Sequence, residues 1–279
     1  MSLTFLIEGF KFHKLKHQRV VEVLFLIVFA FNALYFIYPI GDSDFSALIN
    51  WFYDFSKIGT NRSYLLPDPR NEAIISLDNI YFLLGKFLIT VINLDLSLAY
   101  GALLYGDFLD KPWQVSIKKF FKKLPQLLVL NLLLAVPMLF SPLLLNLPIL
   151  ILWAKLSFAP FYMFEEKYGL SKSLGKSYNQ TSGVTSIMVM TYIFLEILIN
   201  IIYSLLLLFV PANPLTNHLI SAFFEAMKAL ISGRIFGLYF IYFAKINPYF
   251  NNKNPLTALN FVKEFQALRA KINGTDSKE

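Results

Sequence analysis

The chain has 279 residues, of which 56% are hydrophobic and 17% aromatic, and its mean hydropathy is +0.55. So much apolar sequence excludes an ordinary soluble domain and indicates one integral membrane domain over residues 1–279. The net charge of +7 would suit nucleic acid, but the basic residues flank apolar runs, where they meet lipid headgroups; we therefore expect no nucleic-acid partner. The absence of cysteine excludes thiol catalysis and thiolate metal sites and agrees with a bacterial plasma membrane.

Six apolar runs follow one another along the chain, and most are long enough to cross the hydrocarbon core. We predict spans at about 20–40, 80–104, 124–145, 147–163, 184–210 and 218–246. Lys and Arg gather before the first run and after every second run, so the positive-inside rule places both termini in the cytoplasm. The connection 41–79 is then extracellular and residues 247–279 form a cytoplasmic tail. The expected fold is an all-α, multi-pass membrane protein with six transmembrane helices.

Three amphipathic segments lie beside these spans. Residues 45–58 have apolar side chains at helical spacing, which predicts an interfacial helix or, alternatively, a surface for a membrane protein partner. Residues 110–123 and the tail after Asn254 are typical of helices on the inner surface. We expect six lysines to contact anionic lipids of the inner leaflet: Lys118, Lys119, Lys122, Lys123, Lys172 and Lys176.

Seven ionisable residues fall within the apolar runs, where each costs about 2.5–3.5 kcal/mol at a helix centre unless it has a partner or water. Counting about 1.5 Å per residue from the loops gives three pairs of opposite charges at matching depths and leaves Lys228 unmatched. The predicted pairs are Lys86 with Glu225, Asp95 with Arg234, and Lys155 with Glu196. The second helix should then face the sixth, and the fourth should face the fifth. Such pairs either fix helix register or line a polar cavity between the second, fifth and sixth helices, where Lys228 would bind an anionic group.

Motifs for catalysis are largely missing from the sequence. His13 and His17 fall on the opposite side of the membrane from His218, so no histidine cluster can hold a metal. We find no nucleotide-binding loop, and we expect no cofactor, no metal and no catalytic residue. The pair Glu165-Glu166 is similar to the Glu-Glu pair of intramembrane CAAX-type proteases, but the later Arg and two membrane His residues of that family are not present.

Residues 153–183 carry a distinctive pattern. Ala159-Pro160 is followed by an acidic residue at 165 or 166, by Ser173-Leu174-Gly175-Lys176-Ser177, and by Ser182-Gly183. This pattern resembles the six-helix membrane domain that is fused to some bacterial glycerophosphodiester phosphodiesterases, and its stand-alone relatives. The resemblance implies the fold and topology but no hydrolase activity, because the soluble domain with its metal ligands is not in this chain. The segment should form an elbow at the inner surface, either structural or binding a lipid headgroup.

Three classes of function follow from these patterns. The first is a non-enzymatic accessory protein that binds lipid or a partner. The second is a small-solute or lipid carrier that uses the intramembrane charges, although its proline breaks are not repeated in the two halves as carriers usually show. The third, and weakest, is an intramembrane hydrolase.

Overall fold

A computed structural model describes residues 1–58, 75–140, 147–165, 168–210, 213–248 and 261–273. Regular structure in these ranges is helical throughout, as predicted for an all-α protein. The helices are α1 (Ser2–Gly9), α2 (Gln18–Ile37), α3 (Ser46–Ile58), α4 (Leu77–Phe108), α5 (Trp113–Phe140), α6 (Leu147–Leu156), α7 (Ala159–Phe164), α8 (Leu170–Gln180), α9 (Thr185–Leu207), α10 (Pro214–Phe240) and α11 (Phe261–Asn273). A π-helical turn, Ile241–Ile246, extends α10.

Four of these helices are long and apolar enough to cross a membrane. They are Gln18–Ile37, Leu77–Phe108, Thr185–Leu207 and Pro214–Ile246, and a rise of about 1.5 Å per residue gives each at least about 30 Å, the thickness of the hydrocarbon core. Four such helices support a multi-pass membrane protein. Residues 149–164 form a shorter apolar stretch.

The predicted third and fourth spans differ from expectation. The basic segment 110–123 and the third span are one continuous helix, α5. The fourth span is broken between α6 and α7, where Pro160 stands in the first turn of α7 and cannot continue a regular helix. Residues 141–146, the predicted outer end of this pair, lie outside the described residues.

The break between α6 and α7 is stabilised by α8. The hydroxyl of Ser177 donates to the carbonyl of Lys155 at 2.7 Å and accepts the amide N–H of Phe158 at 3.1 Å. The hydroxyl of Thr181 donates to the same Lys155 carbonyl at 3.1 Å. Backbone groups that the break would leave unsatisfied therefore have partners. Within the described residues of 153–183 the chain bends between α6 and α7, as predicted for an elbow, and Ser177 forms hydrogen bonds on both sides of the bend.

Helices α4 and α10 form the centre of the bundle through small residues. A side chain at Gly233 would collide with the backbone of Ser97, and one at Gly237 would collide with Leu104. The later residue of α10 contacts the later residue of α4, so the two helices run parallel. Small residues let their backbones approach closely. The predicted packing of the second span against the sixth is confirmed. The fourth also faces the fifth, since the rings of Trp153 and Tyr192 lie 4.9 Å apart.

The first and last described helices, α1 and α11, pack onto the bundle near the C-terminal end of α10. Phe5 of α1 is fully buried and its ring lies 4.3 Å from that of Tyr239 and 4.9 Å from that of Phe265. Helix α11 is the predicted tail helix, but its apolar face is buried against the protein, through Phe261, Phe265, Leu268 and Ile272. Helix α1 is not anticipated by the sequence analysis.

A buried arginine ties the N-terminal segment to α10. Arg234 is 1% exposed and donates to the carbonyls of Glu8 and Lys14, each at 2.8 Å, and to the hydroxyl of Tyr100 at 3.3 Å. The Glu8 carboxylate lies 3.9 Å from Arg234 and 3.2 Å from Arg269 of α11. The predicted pair of Arg234 with Asp95 is therefore wrong. Arg234 instead holds the N-terminal segment, and Glu8 of that segment contacts α11 through Arg269.

A second ion pair joins the N-terminal segment to the turn after α4. The ammonium of Lys16 donates to Asp110 at 2.6 Å, and this hydrogen bond lowers the pKa of the Asp110 carboxyl. The carboxylate form that the bridge requires is therefore favoured at neutral pH.

Candidate ligand groove within the membrane

Four of the seven predicted intramembrane charges lie on one groove. Its walls come from α4, α5, α6, α9 and α10, and it encloses about 590 Å³. The charged residues on it are Lys86, Glu196, Glu225 and Lys228. Most of the remaining lining is apolar, including Phe87, Leu94, Ile149, Trp153 and Ile193. A groove is therefore present where the sequence predicts a polar cavity, but most of its lining is apolar and its walls extend to α5 and α6.

Lys228 lies between two carboxylates. Its ammonium is 3.3 Å from Glu196 of α9 and 3.3 Å from Glu225, one turn away on α10. The prediction that Lys228 has no counter-ion is wrong, because Glu225 and Lys228 are spaced i, i+3 and share a helix face. Pairing both acids with Lys228 also contradicts the predicted pairs of Glu225 with Lys86 and Glu196 with Lys155.

This charged cluster lies far from the ends of α9 and α10. Glu225 is eleven residues into α10 from Pro214, and Glu196 is eleven residues from the end of α9 at Leu207. At about 1.5 Å per residue, both carboxylates are roughly 17 Å from these helix ends. In a hydrocarbon core about 30 Å thick that began at these ends, both carboxylates would lie near the middle. Ionised groups deep within apolar spans usually mark a functional site.

Two buried polar side chains on the groove lack hydrogen-bond partners for one atom each. Asn131 of α5 donates through its amide nitrogen to Asp95 at 2.9 Å, but within the described structure its oxygen Oδ1 accepts nothing. The hydroxyl of Ser97 on α4 is also unpartnered among these residues. Both side chains are more than nine-tenths buried and both line the groove. A buried polar atom without a partner costs about 1–3 kcal/mol, and neither atom presents accessible surface of its own to the groove.

The other predicted intramembrane charges lie away from the groove. Asp95 is buried and reaches the groove only through Asn131. Lys155 lies at the end of α6, with its ammonium 4.8 Å from the ring centroid of Tyr178. Arg234 is buried against the N-terminal segment, where it donates to the carbonyls of Glu8 and Lys14.

The lysines predicted to meet lipid headgroups have different surroundings. Lys118, Lys122 and Lys172 are exposed, whereas Lys119 and Lys123 are half-buried. Lys176 donates to the hydroxyl of Tyr168 at 2.9 Å and lies 4.4 Å from the rings of Tyr162 and Tyr168. Lys176 is thus part of the elbow, which leaves the exposed three as the better candidates for headgroup contact.

The acidic residue of the elbow has a structural partner. The carboxylate of Glu165 forms an ion pair with Lys245 and accepts a hydrogen bond from Tyr105 at 3.3 Å. Glu166 lies outside the described residues. No group of three or more His, Asp or Glu residues that could hold a metal is found in the described part of the chain.

Sequence reasoning missed the amide side chains of the groove. Asn93 lines it and exchanges two hydrogen bonds with Asn32 of α2, at 2.7 and 3.0 Å. Asn131 was missed in the same way. A search for amides as well as charges inside apolar runs would have found all three residues.

Comparisons with protein families, curated proteins and solved structures give no match to this chain. The resemblance to the membrane domain of glycerophosphodiester phosphodiesterases, which rests on residues 153–183, therefore stays a prediction.

Proposed function

We propose that the chain is a six-span protein of the bacterial plasma membrane that binds a membrane lipid in its intramembrane groove and catalyses no reaction. Both termini lie in the cytoplasm, and α5 and the α6–α7 pair complete the six crossings. This is the accessory, lipid-binding class of function. The observation that carries it is the Lys228 cluster, whose three charged side chains lie in a groove with mainly apolar walls.

The chemistry of the groove suits a lipid. Apolar side chains such as Leu94 and Ile193 can pack against an acyl chain, while the Lys228 cluster can bind a head group. The side chains of Lys228 and Glu196 are 26% and 27% exposed, so both are accessible from the groove.

A carrier function is the second candidate, because a further pocket follows the groove along α4. Ser97 lines the groove, Leu98 lines a small cavity with Pro160 and Phe236, and Tyr105 lines an inner pocket of about 240 Å³. These openings lie in series from the outer to the inner half of the protein. A carrier would move labelled lipid between the leaflets of a liposome, whereas a binding protein would not.

Lipid binding is tested by blocking the groove. Ile197 lines the groove and is 50% exposed, whereas Ile201, one turn along α9, is 51% exposed and does not line it. We expect Ile197→Trp to reduce co-purified phospholipid to less than half of the wild-type amount per protein. Ile201→Trp adds the same ring to the same helix and should keep the wild-type amount. Equal lipid content in both variants would contradict the proposal.

A further inference from the structure

The charges of the groove define the kind of head group that it can bind. Glu196 and Glu225 share the single ammonium of Lys228, so this cluster carries a net charge of −1 when all three groups are ionised. The side chain of Glu225 is 36% exposed and is therefore accessible to a ligand in the groove. An unbalanced charge surrounded by apolar walls and lipid is unfavourable. A ligand cation would remove this cost.

The two accessible carboxylates narrow the kind of cation. Glu196 and Glu225 can only accept hydrogen bonds when ionised, and their side chains are 27% and 36% exposed. A cation that bonds to both carboxylates must carry several N–H or O–H donors. A primary ammonium has three, whereas a quaternary ammonium has none.

Lys86 supplies the complementary charge. It lines the same groove and is exposed, and no described residue forms an ion pair or hydrogen bond with its ammonium. It is nine residues from the outer end of α4 at Leu77, or about 14 Å, close to the depth of Glu225. An ammonium at this position favours a phosphate. With Lys86 included, the groove carries two positive and two negative charges.

From these observations we infer that the groove selects a zwitterionic phospholipid with a primary ammonium, of the phosphatidylethanolamine class. The inference rests on the proposed lipid-binding function. The ammonium lies against Glu196 and Glu225, the phosphate lies against Lys86, and the acyl chains lie along the apolar wall.

The test compares three lipids with identical acyl chains on the wild-type protein. Native mass spectrometry in detergent measures the apparent Kd for phosphatidylethanolamine, phosphatidylcholine and phosphatidylglycerol. Loss of hydrogen bonds to charged groups predicts about tenfold or weaker binding of phosphatidylcholine, which has the same charges but no N–H donor. Phosphatidylglycerol, which has no cation, should also bind at least about tenfold more weakly.

A matched pair of variants locates the selectivity. Glu225→Gln keeps the size of the side chain but removes one carboxylate from the cluster, so we expect the preference for phosphatidylethanolamine to fall to within about threefold. Glu22→Gln removes an exposed carboxylate on α2 outside the groove and should keep the preference. The unfolding midpoint of each variant shows that it is folded, and the wild-type comparison decides the question without any variant.

Each contrary outcome has its own meaning. Equal affinity for all three lipids, or a preference for phosphatidylglycerol, overturns this inference and leaves lipid binding in place. Absence of binding for every lipid overturns the proposed function as well. A preference that vanishes when sodium chloride replaces choline chloride at the same ionic strength shows an inorganic cation in the site, and it also overturns the inference.

Discussion

Replacing Arg234 with methionine should release the N-terminal segment from the bundle. The variant keeps most of the side-chain length but loses the two hydrogen bonds at 2.8 Å to the carbonyls of Glu8 and Lys14. Hydrogen bonds to charged groups contribute about 1.5–3 kcal/mol each, which gives roughly 3–6 kcal/mol for two. Removal of one partner of a buried ion pair costs about 3–5 kcal/mol. The two estimates agree, and we expect a loss of about 3–5 kcal/mol in the free energy of unfolding.

The control for this variant is Arg269→Met. Arg269 contacts the same Glu8 carboxylate at 3.2 Å, but its side chain is 48% exposed, so its loss should cost less than about 1 kcal/mol. Unfolding is followed by tryptophan fluorescence in mixed micelles with increasing denaturing detergent. Arg234→Met should also make residues 1–16 sensitive to protease in the folded protein. Equal effects of the two variants, or a loss below about 1 kcal/mol for Arg234→Met, would refute the role of Arg234 in holding the N-terminal segment.

Other substitutions test the helix contacts and the topology. Gly233→Ala should destabilise the protein by about 1–3 kcal/mol, because the new methyl group collides with the backbone of α4. Gly175→Ala, which meets open space on α8, should be neutral or stabilise the protein by up to about 1 kcal/mol. A stabilising Gly233→Ala together with a destabilising Gly175→Ala would contradict this packing. Ser177→Ala should cost about 1–2 kcal/mol in thermal unfolding, since the amide N–H of Phe158 loses its acceptor and the Lys155 carbonyl keeps only the hydrogen bond from Thr181. Because the chain has no cysteine, an impermeant thiol reagent added to intact cells should label Ser43→Cys and not Asn179→Cys; the opposite pattern would reverse the proposed orientation.

The long helices could be predicted because their signal is local. A span of twenty apolar residues is visible in the sequence, and Lys and Arg beside it predict its orientation. Starts of helices were also encoded locally: the hydroxyl of Ser76 accepts the amide N–H of Asn79, whose side chain accepts the amide N–H of Ser76 in return. The sequence analysis therefore placed α2, α4, α9 and α10 within a few residues.

Helix α1 could not be predicted in this way. It has only eight residues, too few to be stable alone in water, and its stability depends on burial of Phe5 and Leu6 between α9, α10 and α11. Such burial is a property of the assembled bundle.

The ion pairs were predicted incorrectly because depth alone does not specify a contact. Counting residues from a loop gives a position along the helix axis but not the direction in which the side chain points. Lys228 has a partner one turn away on its own helix, Glu225, and depth matching between helices overlooked it. Arg234 has its partner in α1, a helix that the sequence did not reveal.

Photocrosslinking tests most directly whether the groove binds a lipid. A phosphatidylethanolamine with a photoreactive group in its acyl chain is added in trace amounts to the purified protein, and adducts are mapped by mass spectrometry. Our account predicts adducts on groove residues such as Leu94 and Ile193 that unlabelled phosphatidylethanolamine competes away. Adducts spread evenly over exposed positions outside the groove, such as Leu26 and Leu205, without competition, would contradict it.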